Sequence, residues 1–145
     1  MAAVPWGAAD ADIVGRLVDL AVHGATEALG AVPSDLTVDV MLALPEARPG
    51  LPDGFAVDVE RRFAEALREI TTAGKVRVLP RGHAGGLVLF ADADAALRAK
   101  DDTLILVGGT DSWLAPETLE WLDSIEALHS DSMPWGFCSD VRDRS

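Results

Sequence analysis

The chain has 145 residues, 49% of them hydrophobic, and twelve basic against twenty-four acidic side chains give a formal net charge of −12. That length and apolar content suffice for one domain with a core, while the charge would repel a nucleic-acid backbone or an anionic membrane surface. Charged or turn residues interrupt every apolar run before the roughly 18 residues that a membrane span requires, so no membrane segment is expected.

The opening MAAVPWGAADAD places no basic segment ahead of an apolar core, so a secretory signal is not expected and the cytoplasm is the default location. Asp10 or Asp12 can cap a first helix. Ile13, Leu17, Leu20, Gly24 and Ala28 keep helical spacing as its inward stripe, Leu29 is near its end, and Gly30 is a stop. Leu36–Leu44 (LTVDVMLAL) reads as a strand covered on both faces, with Asp39 its one awkward charge. Three prolines and two glycines between Pro45 and Gly54 make an ordered turn or a loop over the sheet edge. A second amphipathic helix follows from about Phe55 to Ile70 or Thr72, burying Val59, Phe63, Ala66, Leu67 and Ile70, with Gly74 ending it.

Residues 75–112 then form the organising unit. A β-branched strand (Val76, Val78) leads into a turn at Pro80 and Gly82, a helix spans about Ala84 to Ala99, and a buried-type strand, Thr103–Val107, closes on Gly108-Gly109. A fourth helix opens on Pro116, with Glu117 and Glu120 at its positive end and Leu119, Leu122 and Ile125 as its buried stripe. Trp113 and Trp121 read as core filling, and the polar tail Ser139–Ser145 is expected to fray. Helices alternating with strands predict one α/β domain over 1–145, with a mainly parallel sheet and helices on both faces.

Leu106-Val-Gly-Gly-Thr-Asp-Ser112, preceded by a helix opening on Gly-His-Ala-Gly-Gly-Leu87, resembles the N-terminal half of a β-ketoacyl synthase, of the thiolase-like superfamily. The likeness runs on through Pro116-Glu-Thr-Leu-Glu-Trp-Leu122 and Leu128-His-Ser to Pro134-Trp-Gly-Phe137, and more loosely back to about Asp12. It implies a thiolase-like half-domain and a place in acyltransferase chemistry related to fatty acid or polyketide synthesis. The family holds a nucleophilic cysteine at the strand-to-helix elbow, and His83 stands there in this chain. The family's two further catalytic histidines belong to a C-terminal half that this sequence does not contain. The resemblance therefore implies a truncated, non-catalytic binding or scaffold module, or else an acyltransferase component using His83 in a groove completed by another chain. It further implies a homodimer, or a heterodimer with a ketosynthase-like subunit, through Lys75–Leu79, and an acyl carrier protein as a candidate ligand. The half-domain has five strands, one of which precedes the first helix and lies mid-sheet. Ala2–Val4 and Phe137–Val141 fill the missing places, or three strands rearrange, or a partner completes the sheet.

The residues themselves restrict the chemistry further. A helix N-terminus that would activate a thiolate disfavours an imidazolium, so His83 is expected to be neutral, as a packed, hydrogen-bonded elbow residue. His23, His83 and His129 have no ligand spacing, and Cys138 is the only cysteine, so neither a metal nor a disulfide is expected, and no cofactor is. Ser112, His83 and Asp111 make a catalytic triad on paper only, since Ser112 follows a Gly-Gly-Thr-Asp turn and not a Gly-x-Ser-x-Gly elbow. Gly82, Gly85, Gly86, Gly108 and Gly109 lack nucleotide-binding spacing and are assigned to tight packing. Half of the twelve cations (Arg61, Arg62, Arg68, Lys75, Arg77 and Arg81) fall between 61 and 81, either a solvated helix face and loop or a patch for an acidic carrier protein or a phosphopantetheine phosphate.

Overall fold

A computed structural model describes residues 12–33, 36–99 and 103–128. In chain order the elements are α1 (Ile13–Leu29), β1 (Thr37–Leu44), α2 (Phe55–Leu67), β2 (Thr72–Pro80), α3 (Gly82–Ala99), β3 (Leu104–Gly109) and α4 (Pro116–Ser124). The three strands are parallel in the order β2-β1-β3, so the fold is α/β with a parallel sheet flanked by helices. Because β1 pairs directly with both neighbours, no gap remains in the middle of this sheet for a further strand. Ala2–Val4, Phe137–Val141, His129, Cys138 and the tail Ser139–Ser145 lie outside the described residues.

Alternation along β1 assigns the two faces. Val38, Val40, Leu42 and Leu44 are buried against α1 and α2, where Val14, Leu17, Val18, Phe55, Val59, Phe63 and Leu67 complete one continuous core. The opposite side of the sheet is covered by α3, which buries only Gly85, Leu89 and Ala93. A Cβ at Gly85 would lie 3.2 Å from Ala43 Cβ and 3.4 Å from the Leu79 carbonyl oxygen, so this glycine lets α3 sit close to the sheet.

Helix boundaries follow local chemistry. Asp12 caps α1, its Oδ1 accepting the Val14 N–H at 2.8 Å. The stripe α1 buries is Val14, Leu17, Val18, Ala21, Ala25 and Leu29, rotated from the expected Ile13, Leu20, Gly24 and Ala28, because alanines and valines make more than one side of this helix apolar. Helix α2 ends at Leu67, earlier than expected, and Gly74 lies inside β2 instead of terminating the helix. There the register between β1 and β2 shifts, and Asp39 Oδ1 accepts the Lys75 N–H at 2.7 Å. A Cβ at residue 74 would collide with that carboxylate, so the awkward charge of β1 is used as a ladder partner and the glycine makes room for it. Helix α4 buries Thr118 and Leu122, while Ile125 follows its end and is exposed.

Candidate functional site

Parallel strands bring their C-terminal ends to one edge, where α/β proteins place their ligands. Here that edge gathers Leu44 with the 45–54 loop, Pro80 with the start of α3, and Gly109 with the 110–115 loop. Pro80 closes β2 and Gly82 turns the chain at φ +55°, a left-handed conformation that favours glycine. A Cβ at Gly82 would also lie 3.3 Å from Glu46 Cγ. His83 is therefore at the strand-to-helix bend, as its sequence context suggests. It is exposed, however, and its side chain makes no hydrogen bond or ion pair among the described residues, contrary to the packed, hydrogen-bonded role expected of it.

The 110–118 segment is held from both sides. Thr110 donates its N–H to the Ala43 carbonyl at 3.1 Å and its hydroxyl to the Leu17 carbonyl at 3.1 Å. Thr118 donates its hydroxyl to the Pro49 carbonyl at 2.6 Å. Below it Gly50 turns at φ +89°, where a side chain would overlap Thr118 and Ala115. Arg48 joins the two loops. Its guanidinium contacts the Asp111 carboxylate at 2.5 and 3.4 Å, donates to the Ser112 carbonyl at 2.8 Å, and lies 3.9 Å from the centre of the Trp113 ring. The Arg48 side chain is only 7% exposed, so its charge is compensated by the Asp111 carboxylate.

This arrangement decides the paper triad. Asp111 is committed to Arg48 and to the Ser112 N–H, which it accepts at 2.7 Å, while the Ser112 hydroxyl is buried without a hydrogen-bond partner among the described residues. Neither residue is hydrogen-bonded to His83, so the relay that nucleophilic serine catalysis needs is not formed. The glycines divide similarly. Gly82 and Gly85 meet close neighbours and Gly109 an ordinary contact with Ala43, but Gly86 and Gly108 have open space where a Cβ would be, and no packing requirement. Among the described residues no group of three or more His, Cys, Asp or Glu side chains could hold a metal ion, and no helix is long and apolar enough to cross a membrane.

Arg48, which joins the loops at the C-terminal edge of the sheet, was not among the residues the sequence singled out. Its partner Asp111 is 63 positions away, and within a proline-rich loop a lone arginine has no periodicity to mark it. At the start of α1, the hydrogen bond from Arg62, 2.8 Å from Asp12 Oδ2, chiefly holds the Asp12 carboxyl below its ordinary value of 3.8, aided by the Val14 N–H. Trp113 is half-buried and its ring stacks against Arg48, which makes it part of the loop clamp and not core filling.

One further feature is open. Strand β2 stands at the end of the order β2-β1-β3, with no described strand on its outer side. Compared with family models, with curated proteins and with solved structures, the chain finds no match in any of the three.

Proposed function

We propose that the chain is a non-catalytic binding or scaffold module, built on a ketosynthase-like half-domain, that engages its partner through the free edge of β2. The single observation carrying this reading is that Lys75–Leu79, the segment singled out by the resemblance, lies on an edge strand whose outer backbone groups have no strand beside them among the described residues. Such a row of N–H and C=O groups is a template for strand addition. The elbow supports the same reading from the negative side: His83 replaces the family's cysteine, and neither Asp111 nor Ser112 is hydrogen-bonded to it. In a thiolase-like half-domain the strand preceding the first helix would occupy mid-sheet. Here β1 takes that place, and the interaction surface at the sheet edge is the part of the resemblance retained in this proposal.

A second copy of the chain or a larger ketosynthase-like subunit are the partners that the resemblance offers. Incubating the protein with a panel of acyl-CoA and acyl-carrier substrates, followed by intact mass spectrometry of wild type and His83→Ala, tests the reading. The expected result is no covalent acyl adduct and no turnover that depends on residue 83. An adduct or product confined to wild type would reject the scaffold reading in favour of an acyltransferase component.

A further inference from the structure

The edge of β2 is also chemically biased, and that bias identifies what it would accept. Residues 55–81 hold six cations against four carboxylates, whereas the other 118 residues hold six against twenty. On the side of β2 facing α3, Lys75 and Arg77 project from the edge strand; Arg77 pairs with Asp92 at 2.7 Å, and the Lys75 ammonium has no partner among the described residues. On the other side, a cleft of about 570 Å³ lies between α2 and β2, with Val57, Ala64, Ala73 and Val76 as its apolar lining and Arg61 and Arg68 beside them. Val57 is 73% exposed there. Glu60 is the one carboxylate in that lining; Arg61 leans on Asp58 and Glu65 at 3.5 and 3.4 Å, while Arg68 has no partner among the described residues.

We infer that β2 receives an extended acidic segment of another protein, one whose residues alternate apolar and acidic, as a fourth strand. A strand presents successive side chains to opposite faces, so such a segment would set its apolar residues into the α2 cleft and its carboxylates beside Lys75 and Arg77. Charge selects this occupant over a second copy of the chain. Two β2 strands paired edge to edge would bring Lys75 and Arg77 of each copy close to those of the other, and like charges across a strand pair are destabilising. This inference rests on the docking reading above and specifies the partner's chemistry.

Fluorescence polarisation of the full chain with labelled eight-residue peptides tests it, using an Asp-Val alternation, its Lys-Val counterpart, and the Asp-Val peptide N-methylated at every second amide. The Asp-Val peptide should bind at least about tenfold more tightly than the Lys-Val one, weaken with added salt, and lose binding on N-methylation. The variant Lys75→Glu, at an exposed side chain without a partner, should fold normally and weaken the Asp-Val peptide; adding Arg77→Glu should reverse the preference. Equal binding of both charges, no binding at millimolar peptide, or indifference to N-methylation would overturn the inference. Sedimentation velocity separates the two failures: dimerisation abolished by a β2 substitution, without peptide binding, would leave the docking module standing and remove its acidic partner.

Discussion

The two faces of the sheet differ in how completely they are closed. On one, α1 and α2 interlock with β1 around Leu17, Val59, Phe63 and Leu67, each at most 1% exposed. On the other, α3 buries a narrow stripe and turns Leu87 and Phe90 outward, 77% and 64% exposed. Both layers are rich in apolar residues, so composition alone does not separate them. What separates them is that α1 and α2 cover each other as well as the sheet, whereas α3 has no helix beside it on its face among the described residues. Burial is therefore concentrated on the closed face, and among the described strands none lies beside the outer edge of β2.

Two phenylalanines, one on each face, should differ most in what their removal costs. Phe63→Ala on the closed face should cost about 3–5 kcal/mol in urea unfolding, while Phe90→Ala on the open face should stay within about 0.5 kcal/mol. Similar losses at both would show that α3 is covered after all. Next in size, Arg48→Met should cost about 1.5–3 kcal/mol, because it leaves Asp111 and the Ser112 carbonyl without their charged donor. Its signature would be faster proteolysis within 45–54 and 110–118 before global unfolding.

A smaller effect comes from the Asp12–Arg62 contact, which ties the start of α1 to α2 across exposed surface. Because the folded carboxyl titrates below its unfolded value, its contribution is complete above that unfolded value and disappears as pH falls through the folded one. For an exposed pair it amounts to about 0.2–1 kcal/mol. Asp12→Asn should therefore lower stability at pH 7 and make no difference once pH is below the folded pKa, read by thermal unfolding across pH 2–7. Smallest of all, Leu87→Gln should leave stability within about 0.5 kcal/mol.

How far the sequence carried is clearest residue by residue. The order of helices and strands was legible because apolar periodicity switches between helix and strand spacing at Leu36, Phe55, Lys75 and Thr103, and because Pro80 with Gly82 marks the bend at His83. The inward face of α1 was not, since Ala21 and Ala25 bury as readily as Leu20 would. Gly74 was misread as a helix stop because its real constraint, the Asp39 carboxylate, comes from a neighbouring strand far away in sequence. The same holds for Arg48 and Asp111. Pairings between distant loops leave no local pattern, which is why the clamp at the sheet's C-terminal edge emerged only from the fold.

Residue-resolved amide hydrogen exchange on the free chain at micromolar concentration tests the open edge most directly. Alternate amides of Lys75–Leu79, those turned away from β1, should exchange rapidly while β1 amides from Val38 to Leu44 stay protected to the limit of global unfolding. Uniform strong protection along β2 in a chain that sediments as a monomer would contradict the account, because the edge assigned to a partner would already be occupied.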